Sequence, residues 1–181
     1  MKNRRILFTL AALICLTGCA TTTVPLAEDA KIIEKVPFFE QDDFQCGPAA
    51  FAAIINYWHR KNNTKEQLTF DSIIGAIYNM KVKGVLTLDL ELYARELGFK
   101  SLQYSGTIEE LKRNIDENIP VIVLVDYGRG FFQQNHFMVV KGYARDSIIL
   151  NTGGRENVVM LNESLLKIWK KTNYWMLVVK P

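Results

Sequence analysis

The sequence predicts an α+β domain in which N-terminal helices pack on a mainly antiparallel β-sheet. Three observations carry this. Between residues 46 and 115 the apolar side chains recur at helical spacing, three and four apart. From residue 121 onward they come instead as short apolar runs, 121–125, 137–140, 147–150, 158–160 and 174–179, separated by polar or glycine-bearing breaks. Helices first and strands afterwards, without βαβ alternation, segregate the two kinds of element.

Taken in order, the chain opens with Met1-Lys2-Asn3-Arg4-Arg5. A run at 6–16 follows, apolar except for Thr9, and then Thr17-Gly18-Cys19-Ala20. A basic start, a short apolar stretch and small residues at a cleavage point make an export signal over residues 1–18. The apolar run is shorter than the roughly 20 residues that cross a bilayer. Leu16-Thr17-Gly18-Cys19 resembles the lipobox of bacterial lipoproteins, which implies cleavage before Cys19 and lipidation of that residue. Residues 19–35 then read as lipidated Cys and tether, and 36–181 as the folded domain. By resemblance to lipoprotein sorting rules, Ala20 rather than Asp after Cys19 points to the outer membrane, facing the periplasm, if the source is Gram-negative.

Val36-Pro37-Phe38-Phe39 suits a short lead-in or edge strand, because Pro cannot donate to a ladder. Gly47-Pro48 opens a helix from Cys46 to about residue 60, Pro being tolerated in the first turn. A polar break at 61–64 precedes a helix over 70–78. Lys83-Gly84 ends that helix, and Thr87 caps a third with Leu90, Tyr93, Ala94 and Leu97 on its buried stripe. Gly98 stops it, and a strand runs over 100–104. Thr107-Ile108-Glu109-Glu110 is a capping box for a fourth helix that ends before Pro120. The continuous apolar run 121–125 suits a buried central strand. A loop at 127–135 carries Gly128, Gly130 and two adjacent Phe. Asn162 caps the last helix through Leu165, Leu166 and Trp169, and 174–179 closes the sheet.

Charge and cysteine count exclude several classes. The chain has 22 basic and 19 acidic side chains. Lys2, Arg4 and Arg5 leave with the signal, so 22 less these three leaves the mature chain neutral. That gives no footing for nucleic acid, nor a basic run for an anionic membrane surface, so the lipid would be the membrane anchor. Two His and no clustered Cys do not make a zinc site, and no metal or organic cofactor is implied. Of the three cysteines, Cys15 leaves with the signal and Cys19 would carry lipid. Cys46 is then the only free thiol.

Lone cysteines are commonly small buried hydrophobes. Cys46, however, lies at a predicted helix N-terminus, where backbone N–H groups and the helix dipole favour a thiolate. A nucleophilic Cys needs a base, and the base needs an orienting group. His59 is excluded as that base: 13 residues along the same helix place it about 20 Å away at about 1.5 Å per residue. His136, where the glycine-bearing loop enters an apolar strand, is the candidate. Asn151, at the end of the following strand, would orient it through its amide oxygen, as in Cys-His-Asn sites. Asp146 competes, but the Arg145-Asp146-Ser147 turn places it at the far end of the hairpin. The Cys46 backbone N–H and the Gln41 side-chain amide are the candidate oxyanion donors.

Val36-Pro37-Phe38-Phe39, Gln41, Gln45-Cys46-Gly47-Pro48-Ala49-Ala50, Lys83-Gly84-Val85-Leu86-Thr87, Asn135-His136-Phe137-Met138-Val139-Val140 and the 149–151 strand end resemble the bacteriocin-processing, double-glycine-leader cysteine peptidases of the papain superfamily. The resemblance covers most of residues 36–180. It implies a papain-like fold, a peptide or protein substrate, Cys46 as nucleophile, His136 as base, an Asp or Asn as third member, and Gln as oxyanion donor. The chain departs from that pattern in three ways. Asn151 stands where many members have Asp. Gln41 is five residues before Cys46, where six is common. The best-known members are fused to transporters, whereas this chain has no nucleotide-binding motif. The expectation is a lipid-anchored cysteine peptidase of the cell envelope. The alternatives are a non-catalytic peptide-binding or assembly lipoprotein, and a thiol amidase or transamidase using the same residues.

Overall fold

A computed structural model describes residues 29–40, 44–64 and 67–181. The signal segment, Cys19 and Gln41 lie outside the described residues. Those described form five helices: α1 (Cys46–Lys61), α2 (Phe70–Ile77), α3 (Thr87–Glu96), α4 (Ile108–Asp116) and α5 (Asn162–Trp169). They also form seven strands: β1 (Lys31–Ile32), β2 (Lys100–Ser105), β3 (Val121–Asp126), β4 (Asn135–Ala144), β5 (Ser147–Thr152), β6 (Arg155–Leu161) and β7 (Trp175–Lys180). The strands make one antiparallel sheet in the order β2-β7-β3-β4-β5-β6, with β1 paired to β4. The mainly antiparallel α+β arrangement is the one the sequence predicts.

The central position of β3 follows from its composition. Val121, Ile122, Val123 and Val125 are all fully buried, which needs cover on both faces of the sheet. Helix α1 lies against β3 and β4, with α2 and α3 on its other flank. It is buried from Gly47 to Trp58, and its alanines let it approach the sheet closely. Polar ties fix its long axis: Trp58 Nε1 donates to the Val179 carbonyl at 2.9 Å and Tyr57 Oη to the Asn118 carbonyl at 2.8 Å. Asn56 clasps the backbone of Leu68 through both amide atoms and so fixes where α2 begins. The Thr107 cap forms as the sequence implies, its Oγ1 accepting from the Glu110 N–H at 3.1 Å.

Two local features differ from expectation. The stretch 36–39 is not a strand; pairing instead begins earlier, at Lys31 and Ile32, within the residues taken for tether. Ile33 continues that contact, its N–H donating to the Lys141 carbonyl at 2.7 Å while its side chain enters the core. The apolar pair Ile32-Ile33 explains this, since Pro37 could not have supplied the ladder donor.

The second feature is a bulge in β4. Below it, Tyr143 faces Ile148 and Gly142 faces Ile149; above it, Val140 faces Leu150 and Val139 faces Asn151. Lys141 is the extra residue. A one-residue bulge shifts the register of everything beyond it and changes which side chains share a face.

Candidate active site

Cys46 is the first residue of α1, after Gln45, and no acidic residue occupies the first turn. Its position depends on close approach of the neighbouring backbone. A Cβ on Gly47 would fall 2.2 Å from Val85 Cγ2 and 3.3 Å from Phe137 Cδ2, so only glycine fits between α1, the segment before α3, and β4. The backbone N–H groups of Phe137, Gly47 and Cys46 itself bear on the sulfur and favour its anion. Burial outweighs them and pushes the thiol pKa up. The helix N-terminus therefore does not by itself produce the thiolate that the sequence suggested.

His136 is the second residue of β4, opposite Val125. Burial lowers its pKa, so near neutrality both the imidazole and the thiol are held uncharged. The ring lies against Tyr127, with centroids 6.0 Å apart. Its Nε2 is hydrogen-bonded to Thr152 Oγ1 at 2.9 Å. Nδ1 is the ring nitrogen outside that bond. Burial raises the Tyr127 phenol pKa, and the nearby Thr152 hydroxyl opposes part of that rise. The Tyr127 O–H donates to Met138 Sδ at 3.6 Å.

Asn151 is thus corrected as the orienting residue. The bulge at Lys141 puts Asn151 opposite Val139, on the face away from His136, and it is Thr152, the next residue, that reaches the ring. An unbulged hairpin would have done the reverse. The Asn151 oxygen accepts from the Asn157 N–H at 3.1 Å. Its Nδ2 is buried without a hydrogen-bond partner among the described residues. Asn151 and Thr152 line a narrow pocket with Cys46, Phe137, Val139 and Phe39. Asp146 is in the turn at the far end of β4 and β5, at about 3.4 Å per residue some 27 Å along the strand from His136. His59 is at the other end of α1, bonded through Nδ1 to Thr64 Oγ1 at 2.7 Å. Among the described residues no three His, Cys, Asp or Glu side chains cluster as metal ligands would.

The loop before His136 is fastened rather than open. Asp126 Oδ1 accepts from the Gly128 N–H at 2.7 Å and the Gln134 N–H at 2.8 Å, drawing the two ends of the loop together. These bonds hold the Asp126 carboxyl below its ordinary pKa. A Cβ on Gly128 would fall 1.8 Å from the Phe132 carbonyl oxygen, so the turn needs glycine. Lys171 Nζ donates to the Gly128 carbonyl at 2.6 Å. At the tip, Phe131 and Phe132 are fully exposed.

With this geometry in view, the comparisons with known proteins are specific. The profile of the Peptidase C39-like family matches residues 33–174. The chain belongs to that family. Among solved structures, the C39-like chain is similar to a Bacillus anthracis protein described as a C39-like peptidase, at 16% identity and a TM-score of 0.65, covering 85% of this chain and 98% of that one. It is also similar to the peptidase domain of Streptococcus ComA, a bifunctional ABC transporter involved in quorum sensing, at 20% identity and 0.62, covering 80% and 96%. A third is a double glycine motif protease from an AMS/PCAT transporter in complex with the leader peptide, at 21% identity and 0.63, covering 81% and 92%. These identities support the shared fold of the C39-like chain. No curated protein matches it.

Sequence reasoning missed Thr152, Tyr127 and Asp126 of the C39-like chain. Asp126 carried a usable signal, an acid at the end of an apolar strand followed by Gly128, the residues of a turn closed by a side chain.

Proposed function

We propose that the chain is a lipid-anchored cysteine peptidase of the bacterial cell envelope, acting on a peptide or protein substrate. The observation that carries the activity is the placement of Cys46 at the start of α1, its sulfur addressed by the N–H of Phe137, the neighbour of His136. Cys46 Sγ attacks a peptide carbonyl carbon while its proton passes to His136 Nδ1. The C–N bond then breaks, and His136 returns the proton to the leaving amine. Water attacks the resulting thioester, giving its proton to His136, and the thiol is restored as the acid departs. The Cys46 N–H and the Gln41 amide are the proposed donors to the oxyanion. Since both partners are held neutral, His136 acts as a general base during attack and not as the imidazolium of a standing ion pair. Anchoring rests on the Leu16-Thr17-Gly18-Cys19 motif, which would place the active domain on a tether at the membrane, on the periplasmic side of the outer membrane in a Gram-negative cell.

Envelope peptides incubated with purified protein and followed by mass spectrometry test the reading. Cleavage that disappears in Cys46→Ala, with circular dichroism unchanged, is the expected result. Incorporation of added amines without hydrolysis would replace peptidase by transamidase chemistry. A second reading is favoured by the raised thiol and lowered imidazole pKa: a peptide-binding protein that retains the fold without the reaction. Full cellular function of Cys46→Ala would establish that reading instead.

A further inference from the structure

We propose that Phe131 and Phe132, at the tip of the loop that leads into His136, insert into the surface of a lipid bilayer. This rests on the reading of Cys19 as a lipidated membrane tether, and it adds which end of the domain faces the membrane: the end that carries His136.

The two rings are held out in water. Phe131 is 104% exposed and Phe132 84%, which forfeits most of the gain that burying two adjacent phenylalanines would bring. A slack loop could fold them back onto the domain, but this one is fastened along its length. At its base the Tyr127 N–H donates to the Gln134 carbonyl at 3.0 Å, and Asp126 Oδ1 gathers the Gly128 and Gln134 N–H groups. Nearer the tip, the Phe132 N–H donates to the Arg129 carbonyl at 3.2 Å. Gly130, inside that turn, has φ +61°, a conformation that glycine adopts without strain. Lys171 Nζ ties the Gly128 carbonyl to the body of the domain at 2.6 Å.

Three observations select a bilayer as the occupant. Rings this exposed stand on a protrusion and line no groove; a bound peptide needs a groove, whereas a bilayer surface takes protruding aromatic rings as they are. The charges suit anionic lipid: Arg129 and Lys171 are exposed beside the tip, while Asp126 is 6% exposed and engaged with the loop N–H groups. Finally, the chain preceding β1 is long enough. Lys31 pairs with Tyr143, eight residues along β4 from Asn135. At about 3.4 Å per residue, the tether leaves the sheet about 27 Å from the base of the loop. Residues 20–30 can span about 36 Å when extended, so a lipid on Cys19 and the loop tip can meet one membrane together. The tether then supplies the effective concentration at which the weak hold of two rings is sufficient.

The test puts a reporter at the tip. Phe131→Trp is made in the lipidated mature chain and reconstituted into vesicles of phosphatidylethanolamine and phosphatidylglycerol, with flotation showing anchorage. The emission of Trp58, Trp169 and Trp175, taken from the wild type, is subtracted. Insertion moves the added emission to shorter wavelength. Lipids brominated in their acyl chains then quench at least about half of it, because the ring lies within about 10 Å of the headgroup boundary. In the unlipidated chain of residues 20–181 the same change needs more lipid. Phe132→Ser, added to the reporter, raises that requirement about tenfold, the scale of burying one such ring. An added emission that stays as in water and escapes quenching, while the lipidated chain floats, would overturn the proposal and leave the anchor. A chain that does not float, but whose added emission shifts and is quenched at high lipid, would uphold the loop and remove the anchor. An emission that shifts with protein concentration in the absence of vesicles, and that brominated lipid does not quench, would assign the tip to a second copy and overturn the bilayer. The signal involves neither Cys46 nor His136, so failure of the peptidase reading shows separately.

Discussion

Replacing Gly47 by alanine isolates the contact that seats Cys46. The added Cβ would be 2.2 Å from Val85 Cγ2. Ordinary carbon contacts lie near 3.7 Å, so Val85 and the start of α1 must separate by about 1.5 Å. Overpacking of this kind costs about 1–3 kcal/mol. The higher helix propensity of alanine returns up to about 1 kcal/mol, leaving a net loss of roughly 1–2 kcal/mol in urea denaturation. The effect on chemistry is larger. The same Cβ would press the Phe137 ring at 3.3 Å, and Phe137 both adjoins His136 and donates its N–H toward the sulfur. A displacement near 1 Å between reacting groups costs about 10²-fold, so peptide cleavage in Gly47→Ala is expected to fall by about that factor. Val85→Ala should relieve the clash: the double variant should recover at least about 1 kcal/mol relative to the sum of the single changes. Unchanged stability and activity in Gly47→Ala, with an additive cycle, would refute the claim that this contact sets the nucleophile.

Three further outcomes follow from the same geometry. Asp126→Ala releases both loop N–H groups, so limited trypsin digestion should cut after Arg129 faster than in the wild type, with KM raised more than kcat is lowered if the loop borders substrate. Lys141→Met should be neutral within about 1 kcal/mol, because an apolar chain of similar length suits a buried site. Glu156→Ala should cost about 1–2 kcal/mol in urea denaturation by stranding the buried ammonium, less than for a fully buried pair because Glu156 is part exposed. Because burial lowers the folded-state pKa of His136, the unfolded chain binds the extra proton first. This contribution to stability is full above the ordinary histidine value of about 6.5 and is lost as pH falls from there through the lowered pKa. The difference in unfolding free energy between wild type and His136→Gln should therefore slope only below about pH 6.5, and cleavage should fall along its acid limb through that lowered pKa.

Much of the fold was legible because local chemistry and burial agreed. The Thr107 capping box, the continuous apolar run that became β3 and the Gly47-Pro48 helix start each announce one structure and adopt it. Cys46 and His136 were legible because few residues in the chain can do thiol chemistry. The third position was not. Asn151 and Thr152 are adjacent, and which of them meets His136 is decided by one extruded residue, Lys141, on the opposite strand. Gly142, a glycine inside the strand and next to Lys141, is the one local mark of a bulge, and hydrophobic alternation is silent where both faces are buried. The burial that opposes the helix N-terminus at Cys46 was not legible for a related reason. The helix N-terminus can be read from Gly47-Pro48, but the burial that opposes it is made by Phe39, Phe137 and Val139, far apart in sequence.

The most direct test of the central claim, that Cys46 and His136 act as one unit, is the rate of Cys46 alkylation against pH in the wild type and in His136→Ala. A neutral pair that exchanges a proton internally has a thiolate population independent of pH between the two pKa values. The account predicts a plateau from about pH 6.5 to the thiol range above about 8.5, and a tenfold rise per pH unit with no plateau once His136 is gone. Identical, steadily rising profiles in both proteins would contradict it, and would leave Cys46 a buried thiol at the head of a helix.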